Sequence, residues 1–341
     1  MKKIGVLGAG TWGMALARML SKSGHSVTVW SAIEKEIDEF SATRRHPNLP
    51  GMEIPQEIGF TKDMETACKE MDILLFAVPS PFVRSTAKKA APYVKAGQVI
   101  VDVAKGIEAD TLFTMTQIIA DEIKNPEVPL VALSGPTHAE EVAKDMPTTI
   151  VSASNDTKAA ELVQEVFSND CMRVYTNEDV EGVELCGAMK NVIALTAGVA
   201  TGYGCGDNAK AALITRGMAE IARLGMAMGC REQTFGGLAG IGDLIVTATS
   251  PHSRNNRCGM LLGQGVPTEE AVRQVGMVVE GLYALPAAMR LKEKYNVEMP
   301  IVETLDAVVN GGVSVAEAVH SLMTRGQKPE LPPSALDNHF K

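Results

Sequence analysis

No hydrophobic segment of this chain approaches the roughly 20 uninterrupted apolar residues that a spanning helix needs, because glycines and charges break every run. Blocks of like charge are missing too. The net charge of −9 comes from acids spread along all 341 residues, which excludes the basic stripe of a nucleic-acid or anionic-membrane partner. The six cysteines (Cys68, Cys171, Cys186, Cys205, Cys230, Cys258) form no C-x-x-C pair and meet no paired histidines, so neither a zinc site nor a disulfide framework is legible. Only Cys205, in a glycine-rich stretch, invites thought as a catalytic thiol. There is no Ser-His-Asp constellation, no metal-ligand cluster, no internal repeat and no low-complexity segment. None of His25, His46, His138, His252, His320 or His339 falls in a pattern that requires it as a base; His138 and His252 flank polar motifs and are the two worth testing. Met1-Lys2-Lys3 resembles a cationic leader, but the apolar residues after it break at once into Gly8 and Gly10, so a soluble, cytoplasmic protein is expected.

What is present has two textures. The first half alternates short β-branched runs (Ile4 to Leu7, Val27 to Trp30, Ile73 to Val78, Val99 to Val103, Leu130 to Leu133, Thr148 to Ala153) with amphipathic segments such as Met14 to Leu20 and Leu112 to Ile123. That alternation predicts βαβ units around a parallel sheet, a doubly wound α/β domain, with Met172 to Tyr175 as its last strand. From about Val180 onward strand signals stop. Helical spacing takes over at Val183 to Ala200, Ala209 to Met228, Ala284 to Lys294, Val302 to Val309 and Val315 to Met323, with a helix start at Thr268 and ends at Gly229, Gly263 and Gly311. The expected division is therefore 1–179, a Rossmann-like nucleotide domain, and 180–341, an all-helical domain ending in a loose tail around Leu331-Pro332-Pro333-Ser334.

Gly8-Ala9-Gly10-Thr11-Trp12-Gly13 follows one strand, opens a helix and leads to a second strand, the context in which G-x-G-x-x-G reads as a dinucleotide fingerprint. The first glycine permits the turn, the second lets backbone approach a pyrophosphate, and the third lets helix and strand pack closely. Free amides at the helix start favour the anion. At the end of the second strand an acid would select NAD and a base would tolerate NADP. Trp30-Ser31-Ala32 offers neither, and Glu34 and Lys35 come late. Without that acid, and with Arg44 and Arg45 in the following loop, the sequence leans to NADP.

The chain resembles the NAD(P)-dependent sn-glycerol-3-phosphate dehydrogenases at Gly8 to Gly13, Ala104-Lys105-Gly106, Ser134-Gly135-Pro136-Thr137, Lys190-Asn191, Gly240-Ile241-Gly242-Asp243-Leu244, Ser253-Arg254-Asn255 and Val278-Val279-Glu280-Gly281. The resemblance extends over almost the whole length. It implies a Rossmann-like domain followed by a helical domain like that of 6-phosphogluconate dehydrogenase. It also implies hydride exchange between NAD(P) and the glycerol 3-phosphate/dihydroxyacetone phosphate pair, a place in glycerophospholipid synthesis, and a homodimer. Carried over by position, Lys190 is the proton acceptor. Lys105 touches substrate and cofactor, and Gly135, Thr137, Asp243, Ser253, Arg254 and Asn255 bind substrate. Thr11, Trp12, Ala139, Arg254, Val278 and Glu280 meet the cofactor. No metal is implied.

The residues support these roles to differing degrees. A lysine base needs a lowered pKa, from burial or a neighbouring cation, and Lys105 is a candidate for that cation. Ser253-Arg254-Asn255 gives an otherwise acidic chain a guanidinium fork at a helix start, suited to phosphate. Gly135-Pro136 also reads as an ordinary turn and Asp243 as a helix cap. Asn191 is a plausible partner for Lys190. Two other readings stay open: another hydroxyacid or sugar-phosphate dehydrogenase on the same plan, and a non-enzymatic NAD(P)H sensor.

Overall fold

The computed structural model describes residues 1–330; the tail expected at Leu331 to Ser334 lies outside the described residues. The nucleotide half runs β1 (Lys3–Leu7), α1 (Thr11–Lys22), β2 (Ser26–Trp30), α2 (Glu34–Thr43), β3 (Gly59–Thr61), α3 (Met64–Cys68), β4 (Ile73–Phe76), α4 (Val83–Ala90), β5 (Val99–Asp102) and α5 (Met115–Ile123). It continues through β6 (Leu130–Ser134), α6 (Ala139–Val142), β7 (Thr148–Ala153), α7 (Thr157–Phe167) and β8 (Met172–Asn177). The eight strands form one sheet in the order β3-β2-β1-β4-β5-β6-β7-β8. Chain direction from β1 passes to β2 on one side and β4 on the other, which opens a crevice above the carboxyl end of β1.

One expectation is corrected here. The sheet is not wholly parallel: β7 pairs antiparallel with β6, Leu133 opposite Ser152, and β8 then follows β7 in parallel. Between β6 and β7 the chain forms only the four-residue helix α6, and no longer helix packs back across the sheet as in a parallel βαβ unit. The edge strand β3, three residues of Gly59-Phe60-Thr61, carries no apolar run and was invisible to periodicity. Both sheet faces are covered, one by a core including Ile4, Val6, Leu16 and Phe167, the other by Leu7, Leu74, Phe76 and Ile119. Strands buried on both faces read as continuous apolar runs, which is why they were legible.

From Val180 on, the described chain is helical: α8 (Val180–Tyr203), α9 (Asp207–Met228), α10 (Glu232–Phe235), α11 (Asp243–Thr249), α12 (Arg254–Gly263), α13 (Thr268–Val275), α14 (Glu280–Tyr295), α15 (Pro300–Val309) and α16 (Val315–Met323). Helix α8 is the axis of this half. Its most apolar 18 residues, with a mean hydropathy of 1.3, resemble a membrane span, yet that stretch is wholly buried among its neighbours. Gly204 and Gly229, both at positive φ, end α8 and α9.

Helices α8 and α12 cross at backbone contact. A Cβ on Gly198 would lie 2.2 Å from the Asn256 carbonyl oxygen, one on Gly259 2.1 Å from that of Leu195, and one on Gly263 2.2 Å from that of Val199. Only glycine allows such an approach, and it fixes the start of α12 against the middle of α8. The halves are also pinned together. Buried Glu184 on α8 accepts the Thr116 amide at 2.8 Å and the Thr114 hydroxyl at 2.7 Å, both at the start of α5.

Candidate active site

The glycine turn after β1 has the geometry its sequence requires. Gly8 sits at φ +125°, and a Cβ there would lie 2.5 Å from the Ala77 carbonyl oxygen. A Cβ on Gly13 would lie 2.3 Å from the Gly8 carbonyl oxygen, whereas one on Gly10 would meet nothing within 4 Å. Gly10 is thus the open point of the turn. It is also the N-cap of α1 and has no side chain to satisfy the amides of the first turn, Thr11 and Trp12 among them. A backbone cradle open to the crevice, with free amides and a positive helix end, fits a dinucleotide pyrophosphate.

Across the crevice two lysines share one carboxylate. Asp243, the first residue of α11, is fully buried. Its Oδ1 accepts Lys190 Nζ at 2.9 Å and its Oδ2 accepts Lys105 Nζ at 2.6 Å. Lys105 follows the end of β5 and also donates to the Gly135 carbonyl at 3.1 Å. Lys190, half-way along α8, donates to the Thr247 hydroxyl at 2.6 Å. Burial brings the Lys190 ammonium down to about 8, with Lys105 adding repulsion and Asp243 opposing the shift. Burial alone would push the Asp243 carboxyl up, but the two lysines hold it below its usual value. Asp243 thus organises the cations, where sequence offered a substrate contact or a cap.

Gly135, at φ +150°, turns the chain after β6 so that its carbonyl receives both Lys105 and, at 3.0 Å, the Thr137 hydroxyl. Ser253 is the N-cap of α12, its hydroxyl accepting the Asn256 amide at 3.2 Å. Its local role is therefore capping, which leaves Arg254 at the first helical position. The Asn255 amide nitrogen donates to Asn191 Oδ1 at 2.9 Å, and its oxygen accepts the Gly281 amide at 2.8 Å. Asn191 is thus committed to α12, and Lys190 is oriented by Asp243 and Thr247 instead.

Ala139 begins α6, and Val278 lies just before α14. Glu280 starts α14 and binds the amide (3.2 Å) and hydroxyl of Ser80, beyond β4 on the nucleotide half; Arg254 adds its field to this carboxylate. His138 and His252 face one another with ring centroids 5.9 Å apart, and burial lowers the His138 pKa, with Lys190 contributing. Cys205 lies in the turn between α8 and α9 and takes no part in this cluster. No group of metal-ligating side chains exists among the described residues.

Two family models, described as the N-terminus and the C-terminus of NAD-dependent glycerol-3-phosphate dehydrogenase, match residues 3–160 and 179–320. The chain belongs to the NAD-dependent glycerol-3-phosphate dehydrogenase family. Within it, this chain is 64% identical over 335 residues to a protein of Lactobacillus delbrueckii subsp. bulgaricus named glycerol-3-phosphate dehydrogenase [NAD(P)+] 2, covering 97% of this chain and 99% of that one. A Bacillus subtilis protein of the same type is 47% identical over 333 residues, covering 97% and 96%. The crystal structure of glycerol-3-phosphate dehydrogenase from Coxiella burnetii superposes with a TM-score of 0.91 at 35% identity, covering 95% and 99%. D-mandelate dehydrogenase, at 15% identity and a TM-score of 0.65, shares the fold alone.

Several residues of this glycerol-3-phosphate dehydrogenase fold were missed by sequence. Thr247 stands four residues after Asp243, on the same helix face. Glu184 is an acid in an apolar helix and could have been flagged as paired. Ser80 carries no local signal, because its partner is 200 residues away.

Proposed function

We propose that this chain interconverts sn-glycerol 3-phosphate and dihydroxyacetone phosphate by NAD(P)-dependent hydride transfer, with Lys190 as the base. The observation that carries the reading is the buried Lys190–Asp243–Lys105 cluster, whose Lys105 follows β5 at the same carboxyl edge of the sheet as the glycine turn after β1. When bound, the nicotinamide accepts a hydride from the secondary carbinol carbon or returns it to the ketone. Loss of hydride from carbon must be matched by loss of a proton from oxygen. Lys190 Nζ takes that proton in oxidation and gives it back to the carbonyl oxygen in reduction. With a pKa of about 8, both of its forms are accessible near neutrality. Lys105, held by Asp243 and the Gly135 carbonyl, presents a further donor to developing oxygen charge.

Arg254, with the amides at the start of α12, receives the phosphate. Charge-assisted contacts of this kind are worth roughly 1.5–3 kcal/mol each, enough to offset the acidic field of the chain locally. Gly8, Gly10 and Gly13 with Thr11 and Trp12 hold the pyrophosphate, while Ala139, Val278 and Glu280 line the cofactor side. The family suggests a cytoplasmic homodimer supplying glycerol 3-phosphate to glycerophospholipid synthesis.

The test is oxidation of NADH and NADPH at neutral pH with dihydroxyacetone phosphate, and with unphosphorylated dihydroxyacetone as control. Turnover confined to the phosphorylated ketone is expected. Equal turnover of the two ketones would remove the phosphate site from the reading. No turnover with either cofactor would remove the reaction.

A further inference from the structure

The end of β2 contains an acid that the order of residues hides. The Trp30 carbonyl accepts the Gly8 amide at 2.8 Å, so the next residue, buried Ser31, lies against the glycine turn. The Ser31 hydroxyl donates to Glu36 Oε2 at 2.6 Å and accepts the Ile33 amide at 3.1 Å. Glu36, in the first turn of α2, is thereby folded back onto the end of the strand, half-buried. On its other side stands His46, whose ring is buried. Its Nδ1 accepts the Asn48 amide at 3.2 Å, and its ring also meets the backbone of Ala9 and the field of Glu36. The half-buried carboxylate is held at the strand end by Ser31, beside His46, whose ring reaches the glycine turn at Ala9. In a Rossmann-type domain that is the place of the adenosine ribose.

We infer that Glu36, positioned by Ser31, is the residue that selects the cofactor: it accepts the ribose 2′-hydroxyl of NADH and repels the 2′-phosphate of NADPH. This rests on the dehydrogenase reading and reverses the lean to NADP drawn from Trp30-Ser31-Ala32. Two of the cations that a 2′-phosphate could use, Arg44 and Lys62, are engaged elsewhere. Arg44 donates to the carbonyls of Ile58 (2.8 Å) and Pro55 (3.3 Å) and stacks 5.1 Å from the Phe60 centroid. Arg45 lies beyond the far end of α2, where its backbone pairs with that of Glu53, and Lys62 pairs with Asp38 at 2.8 Å and Glu34 at 3.6 Å. Burial lowers the His46 pKa despite Glu36 and Glu39, so its ring adds no positive charge at neutral pH. Lys35 and Arg45 remain, set against Glu34, Glu36, Asp38 and Glu39 on α2. A phosphate of about −2 charge placed here faces an acidic helix.

Equilibrium titration of the full chain with NADH and with NADPH, without substrate, reads this directly. NADH is expected to bind at least ~10-fold more tightly, the equivalent of one charged hydrogen bond. Added salt should narrow the gap as repulsion is screened. Glu36→Gln should bring the two affinities within about threefold, weakening NADH and strengthening NADPH. Glu39→Gln, an acid on the same helix without the Ser31 contact, should move the ratio much less than Glu36→Gln does. Equal affinities in the parent chain, or a ratio unmoved by Glu36→Gln, would overturn the inference while leaving the dehydrogenase reading intact. Binding of neither dinucleotide would overturn both.

Discussion

The two halves of this molecule use glycine in opposite ways. In the turn after β1 a Cβ on Gly10 would meet nothing, and the space it leaves belongs to a ligand. Along α8 and α12, Gly198, Gly259 and Gly263 have a neighbouring backbone where the Cβ would be, and the space belongs to the fold. The nucleotide half thus presents main chain to an anion. The helical half hides main chain so that a few side chains, Lys190 and Asp243 above all, can be held in a dry interior. A site built from exposed amides is formed within a dozen residues of sequence. One built from a buried ion cluster needs α8, α11 and the end of β5 together.

The most direct way to sharpen this contrast is to remove the buried lysine proposed as the base. Lys190→Ala should lower turnover of dihydroxyacetone phosphate about 10³-fold, the usual scale of general acid–base catalysis. Nucleotide affinity, set across the crevice, should stay within a factor of about two; a parallel loss of binding would show that the two regions are not separable. Next come the glycines. Gly259→Ala should destabilise the chain by about 3 kcal/mol in urea unfolding, because a methyl group there meets backbone and not a yielding side chain. Gly10→Ala should unfold at the parent midpoint yet bind NADH roughly tenfold more weakly. Equal stability losses in the two variants would break the comparison.

Arg254→Lys keeps the charge but loses the fork. It should raise KM for the phosphorylated ketone about tenfold, with little change for unphosphorylated dihydroxyacetone. The smallest effect is in pH. Because Lys190 sits at about 8, reduction, which needs its protonated form, should hold below that value and fall above it, and oxidation should show the mirror image. Asp243→Asn removes the attraction that holds the proton on Lys190, so the midpoint should move down.

The difference between the halves also explains what could be read in advance. The glycine turn, the central strands and the long helices each announce themselves within a few residues, through apolar runs or helical spacing. The pairs that build the catalytic cluster do not. Lys190 and Asp243 are 53 positions apart, and Lys105 and Asp243 are 138 apart. Spacing carries no trace of such contacts, and family resemblance supplied these residues without their partnership. The reversed direction of β7 was hidden for a related reason: an apolar strand looks the same whichever way it runs. Glu36 was passed over because a rule counting from the strand end ignores a side chain that folds back.

On α8, Glu184 faces the threonines of the nucleotide half, and Lys190 follows six positions later, about one and two-thirds turns along the same rod. The interval works as a fixed ruler between an anchor and a tool. A residue inserted between Gly187 and Lys190 would leave the net charge unchanged, yet would rotate the ammonium, and Gly198 at the α12 crossing, by about 100° relative to the anchor. Length can change in the loops after α9 or α12 without touching this interval, whereas in this stretch of helix the spacing itself holds the ammonium to its anchor.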